Sequence, residues 1–249
     1  SSDVCSSDLP SYNPNKIIQK PNKEYWDSIL KNELSPLTYR CIQGLYAPGS
    51  TFKMVVAIAG IVHGFIDTNT KHFCSGKIGL GDRLYHCWKN NGHGSMNVSD
   101  AIKESCDVFF YEISKKIGID KISRVAEDFG LGKIYDVPLP NQKKGIIPSR
   151  DWKKKKYDES WYPGETLISA IGQGFVLTNP LQLAVMTSII ASNGKNVKPN
   201  IIKQNSDIEF EKLEKYQNAI EIIKSSMFKA VNESKGTAYN SRSASVPFA

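Results

Sequence analysis

Ser50 and Lys53 stand three residues apart in Tyr46-Ala47-Pro48-Gly49-Ser50-Thr51-Phe52-Lys53, with the apolar run Met54 to Val62 directly behind them. Pro48 and Gly49 mark a turn, so the residues after them predict a buried helix whose first turn carries both side chains. That spacing is nearly one helical turn, which sets the hydroxyl and the amine on one face. A serine hydroxyl is a weak nucleophile at neutral pH and needs a base within hydrogen-bond reach. A buried lysine can supply one, and backbone N–H groups at the helix start can stabilise an oxyanion. The pattern suits a serine nucleophile, but taken alone a helix start with a serine cap and a solvated lysine explains it better. The same spacing recurs at Ser28/Lys31, Ser192/Lys195 and Ser226/Lys229, so it counts only where a turn and an apolar helix accompany it.

A second group of residues suits a metal. Cys74, Cys87 and Cys106 lie in or just beyond a glycine-punctuated stretch that also holds His72, His86 and His93. Cys74, Cys87, His93 and Cys106 make a Cys₃His set of the kind that binds structural zinc. His93, flanked by glycines, is freely presented; His86, beside Cys87, is the rival ligand. The spacing matches no compact Cys-x-x-Cys signature, and a Cys74–Cys87 disulfide or a group of buried thiols also fits. Cys41 is expected in the core.

The elements that must position these residues follow from periodicity. Residues 22–33 predict a short helix, and the Ser50 helix runs to about Gly64. Periodicity fails from Ile66 to Asn97, and so long a loop needs a reason to be ordered. Helical spacing returns at Val98 to Lys103, Val108 to Ile117 and 120–130, with Ser105-Cys106-Asp107 between the first two. Residues 134–161 predict loop and short strand. Pro180 to Ala191 and Glu209 to Val231 predict two further helices, and no internal repeat is visible.

The chain has 249 residues, 40% hydrophobic, with a formal charge of +7. This composition suits one large globular domain. No run of 18 apolar residues occurs, and no signal peptide opens the chain. The densest basic run, Lys153 to Lys156, is expected to be a solvated loop, because no nucleic-acid-binding signature accompanies it. Residues 1–9 read like a translated sequencing adapter and are set aside. Ser243 to Ala249 stop without a closing element, so 10–242 is the expected extent of the domain.

The serine-lysine pair followed by Ser105-Cys106-Asp107 resembles the motif order of the penicillin-binding serine acyltransferases, and among them the elongation-specific D,D-transpeptidases. Pro10 to Asn15, Leu80 to Lys89 with Gly92-His93-Gly94, Ser105 to Tyr111, Ile171-Gly172-Gln173-Gly174 and Gly236-Thr237-Ala238-Tyr239 also resemble that family. The resemblance implies an α/β fold with an antiparallel sheet between helices, incomplete at the C-terminus. It implies that Ser50 forms the acyl-enzyme, Lys53 accepts its proton and Ser105 relays protons to the leaving amine. Asp107 stands where many relatives carry asparagine. Cys74, Cys87, His93 and Cys106 would ligate zinc and clamp the second motif to the loop. The substrates would be peptidoglycan stem peptides, with β-lactams as mimics. A membrane glycosyltransferase partner, an N-terminal anchor in the inner membrane and a periplasmic active site are further implied. The family's third motif, Lys-Thr-Gly, is not found; Lys235-Gly236-Thr237 is a near miss, and the polypeptide as written is expected to be inactive. A D,D-carboxypeptidase, a class D-type β-lactamase and a β-lactam-sensing receptor domain are the rival activities.

Overall fold

The computed structural model describes residues 10–18, 22–202 and 211–243. Its helices are α1 (Pro14–Ile18), α2 (Lys23–Leu30), α3 (Arg40–Gln43), α4 (Lys53–Val62), α5 (Val98–Lys103), α6 (Asp107–Ile117), α7 (Ile119–Asp128), α8 (Arg150–Tyr157), α9 (Pro163–Ala170), α10 (Pro180–Ala191) and α11 (Gln217–Asn232). Four short strands, β1 (His72–Cys74), β2 (Lys77–Leu80), β3 (Arg83–His86) and β4 (Gly94–Met96), lie between α4 and α5. The class is mixed α/β. Among the described residues the antiparallel pairing consists of two ribbons, β1 with β4 and β2 with β3, plus isolated bridges.

Helix α4 is the centre of the molecule. Val55 to Gly60 are buried all round the helix, so it has no solvent face, and it packs against α5, α6, α7 and α11. A helix apolar on every side belongs in a core, which makes the charged Lys53 at its first position the exception that demands partners. A 3₁₀ turn over Gly49–Phe52 feeds directly into α4 and carries Ser50.

Capping explains the helices that frame α4. Asn97 accepts from the Asp100 N–H to start α5, and Asn179 accepts from the Gln182 N–H ahead of Pro180 to start α10. The expected bounds of α10 and α5 agree with the structure, and the short second helix stops at Leu30 rather than 33. Part of the expected final helix lies outside the described residues, and α11 itself begins at Gln217.

Three expectations fail. The stretch from Ile66 to Asn97 is not a loop but the two ribbons, whose strands of three or four residues are too short to show alternation. The basic run is not a solvated loop. It lies on α8, capped by Ser149, where Lys153 is buried and paired with Glu165 and Glu159 while Lys154, Lys155 and Lys156 face solvent. Glu165 also accepts from the Tyr162 N–H at 2.8 Å, so one carboxylate both caps α9 and neutralises α8's buried amine. Cys41 is exposed on α3, not in the core.

The turn after α9 sets the position of the nucleophile. Gly172 has φ +69°, and its carbonyl accepts from the Gly49 N–H at 2.9 Å. A Cβ added there would run into the backbone oxygen of Gly49 and approach Phe52 Cβ to 2.8 Å. Gly172→Ala is expected to lower stability by about 1–3 kcal/mol, from left-handed strain and the forced shift of the Ser50 turn. Denaturant unfolding of the variant checks this, and an unchanged midpoint would contradict it.

Candidate active site and metal centre

Ser50, Lys53, Ser105 and Asp107 come together where the start of α4 meets the turn between α5 and α6. Lys53 is 1% exposed. Its Nζ donates to Asp107 Oδ1 at 2.6 Å, to the Ser105 carbonyl at 2.9 Å and to Ser105 Oγ at 2.9 Å. Three donors thus meet three acceptors. Ser105 Oγ in turn donates to Ser50 Oγ at 3.0 Å. Ser50 and Lys53 therefore reach the same oxygen from one side of their helix, as their spacing predicts. The link between them is not the direct contact implied by the simplest serine–lysine scheme: the hydrogen bonds run from Lys53 to Ser105 to Ser50. Such a chain moves a proton either way, provided Lys53 can take one up.

Ser105 adopts φ +54°, uncommon for a residue with a Cβ. It follows the end of α5, and Cys106 then caps α6 in an extended conformation. Asp107 opens α6, where a carboxylate also suits the helix dipole. Its second oxygen, Oδ2, accepts from the Trp88 N–H at 2.9 Å.

Ser50, Ser105 and Asp107 face an open cavity of about 520 Å³ that is also lined by Trp88, Ile171, Gln173 and Thr237, with Lys53 buried behind them. Periodicity could not assign Trp88, Ile171, Gln173 or Thr237 a role, because each sits in a turn or loop. Their only sequence signal is membership of the stretches that resemble the family.

The metal candidates also converge. One ligand atom from each of Cys74, Cys87, His93 and Cys106 lies within 4.8 Å of the others. His93 Nδ1 is 3.5 Å from both Cys74 Sγ and Cys87 Sγ. Zinc bonds of about 2.3 Å to sulfur and about 2.05 Å to nitrogen, at tetrahedral angles, put sulfur and nitrogen about 3.6 Å apart. The residues fit the metal. All four described cysteines are free thiols, so the disulfide alternative is not realised, and His86 is exposed outside the cluster.

The electrostatics favour metal-binding sulfur. A hydrogen bond from Cys106 holds the Cys87 thiol down to about 4 against the opposing effect of burial, helped by the backbone N–H groups of Lys89, Val108 and Asp107. The same hydrogen bond, with burial, pushes Cys106 up. A divalent metal would bind these sulfurs as thiolates and displace the hydrogen bond between them. Loop geometry supports the arrangement: Gly92 has φ +76°, and a Cβ there would strike the Cys74 carbonyl. Each ligand comes from a different place: β1, the residue after β3, the residue before β4, and the cap of α6.

Comparison with known proteins agrees with this geometry. Residues 4–249 match the Penicillin binding protein transpeptidase domain family. The peptidoglycan D,D-transpeptidase MrdA of Acinetobacter baumannii is 37% identical over 196 residues, covering 78% of this chain and 29% of that protein. The solved penicillin-binding protein PBP2 from Helicobacter pylori is similar with a TM-score of 0.89 at 33% identity, over 95% of this chain and 45% of that one. A peptidoglycan synthase complex, described as coordinating polymerization and crosslinking, contains a chain similar at a TM-score of 0.80 and 32% identity, over 90% of this chain and 39% of that one. The chain spans less than half the length of each of these relatives. With its two serines at one cavity, its lysine bonded behind them, and matches of this extent, the chain belongs to the penicillin-binding protein transpeptidase family.

Proposed function

We propose that the chain is the acylating part of a peptidoglycan D,D-transpeptidase of cell elongation, whose penicillin-sensitive nucleophile is Ser50. The observation that carries this is the hydrogen-bonded series Lys53 Nζ, Ser105 Oγ, Ser50 Oγ opening onto the cavity. Ser50 Oγ attacks the carbonyl of the D-Ala-D-Ala bond in a stem peptide, and its proton passes through Ser105 to Lys53 Nζ, which acts as base only after giving up one of the three protons it donates in the resting site. The C–N bond breaks, the proton returns through Ser105 to the departing amine, and D-alanine leaves. An amine on a neighbouring stem then attacks the Ser50 ester, forming the cross-link and restoring the hydroxyl. A penicillin acylates Ser50 by the same steps, except that its opened ring stays attached.

Zinc is proposed as a structural ion held by Cys74, Cys87, His93 and Cys106. It supplies no step of the reaction. Its chemistry there is cross-linking: it ties both ribbons to the cap of α6, so the backbone bearing Ser105 and Asp107 cannot drift from α4. The likeness to a peptidoglycan synthase complex supports a glycosyltransferase partner, and the family supports an anchor in the inner membrane with the domain in the periplasm. No helix among the described residues is long and apolar enough to cross a membrane.

In the full-length protein, Ser50→Ala is expected to abolish covalent uptake of a fluorescent penicillin, read as loss of the labelled band and of the adduct mass. Lys53→Met should slow uptake by about 10²–10⁴-fold, the range for removing a positioned base. Labelling of Ser50→Ala at the wild-type rate would refute the assignment. Stripping the metal with a strong chelator, or Cys106→Ala, is expected to lower the melting temperature by roughly 10 °C, several kcal/mol, and to slow acylation. An unchanged acylation rate in the stripped protein would refute the clamp.

A further inference from the structure

We propose that Trp88 is a positioning residue that holds the Ser105 turn in place for proton relay; this rests on the acyl-transfer function above. Trp88 touches the second catalytic motif at two points. Its indole Nε1 donates to the carbonyls of Glu104 and Ser105 at 3.1 and 3.0 Å. Its backbone N–H donates to Asp107 Oδ2 at 2.9 Å, while Asp107 Oδ1 takes Lys53. The Ser105 carbonyl is therefore shared between the indole and the Lys53 amine. One ring nitrogen and one lysine fix the direction of that peptide group, and the direction sets where Ser105 Oγ points.

The turn needs this restraint. Ser105 is in the left-handed region at φ +54°, where a side chain is disfavoured, so its conformation persists only if its surroundings over-determine it. Helix α5 ends just before it and α6 starts just after, so neither ladder encloses the carbonyls of Glu104 and Ser105.

Packing alone does not account for the tryptophan. The residue is 59% exposed and lines the active-site cavity, so little of its ring area is removed from water. Trp88 directly follows Cys87, and its ring meets the His93 ring edge-on at 5.3 Å. Whatever fixes the metal loop thus fixes Trp88, and Trp88 passes that restraint to Ser105 through a single N–H.

The test uses the full-length protein with two replacements at position 88. Trp88→Phe removes the indole, and genetically encoded benzothienylalanine keeps the bicyclic shape but lacks the N–H. In both, the first-order acylation constant for a penicillin should fall about tenfold, the effect of one lost hydrogen bond. The dissociation constant of the complex that precedes acylation, the zinc content and the melting temperature should stay at wild-type values for the benzothienylalanine protein. Wild-type acylation in that protein would overturn the inference. So would a loss confined to the binding step, which would make Trp88 a substrate contact, or a loss of zinc, which would make it structural. If wild-type protein takes up no penicillin, the acyl-transfer function itself is wrong; if wild type acylates and both replacements match it, only the role of Trp88 is wrong.

Discussion

A lysine ammonium at the head of an apolar helix, nearly sealed from water, must be matched by charge and hydrogen bonds, and the rest of the structure is arranged around meeting that need. Lys53 finds all its acceptors on one turn: the Asp107 carboxylate, the Ser105 carbonyl and the Ser105 hydroxyl. Stranding a partner of a buried ion pair costs about 3–5 kcal/mol, far more than the pair's net contribution when intact. Small displacements of the second motif are therefore penalised on the side that faces Lys53. Trp88 bonds the same turn through the Ser105 carbonyl and the second oxygen of Asp107, and it directly follows Cys87 of the cysteine–histidine cluster.

Function and stability consequently share the same atoms. Ser105 offers its hydroxyl to Ser50 from a backbone conformation that costs on the order of 1–3 kcal/mol. The strain is useful because it sets the hydroxyl between nucleophile and amine with no freedom to swing away, which is the preorganisation that makes proton transfer fast. It is tolerated because bonds from α4, from the ribbons and from the cap of α6 converge on three consecutive residues. Cys106, the middle one, serves both ends: its sulfur faces Cys74, Cys87 and His93 while its neighbours face Lys53.

Much of this site was legible in the sequence because its pieces sit on strong local signals. A Pro-Gly turn before a fully apolar run singles out Ser50 and Lys53 from the other Ser-x-x-Lys spacings, and the apolar run from Pro180 to Ala191 announces α10. Three cysteines and a glycine-flanked histidine are legible as a cluster, but their spacing alone leaves a metal, a disulfide and buried thiols open. What could not be read is what depends on pairing between distant residues. The ribbons are made of strands too short for a period to show, and their register comes from contacts such as Cys74 opposite Gly94. Nothing in Lys153-Lys154-Lys155-Lys156 says which lysine is buried, because the answer lies at Glu159 and Glu165. Cys41 looked apolar enough for the core, yet α3 is a single turn whose buried residue is Ile42.

The position of Asp107 shows how one substitution of chemistry alters the logic of the site. An asparagine in the same pose would turn its oxygen to one of these donors and its NH₂ to the other, so it would accept from Lys53 or from the Trp88 N–H but not from both. The carboxylate accepts from both at once, at 2.6 and 2.9 Å, and adds the opposite charge that the buried amine requires. It thereby joins α4 to the metal loop across a single side chain. A site built with asparagine would have to hold those two elements by other contacts. In this chain the acid bonds Lys53 through one oxygen and the Trp88 N–H through the other, so the turn that bears Ser105 is held from both α4 and the segment that follows β3.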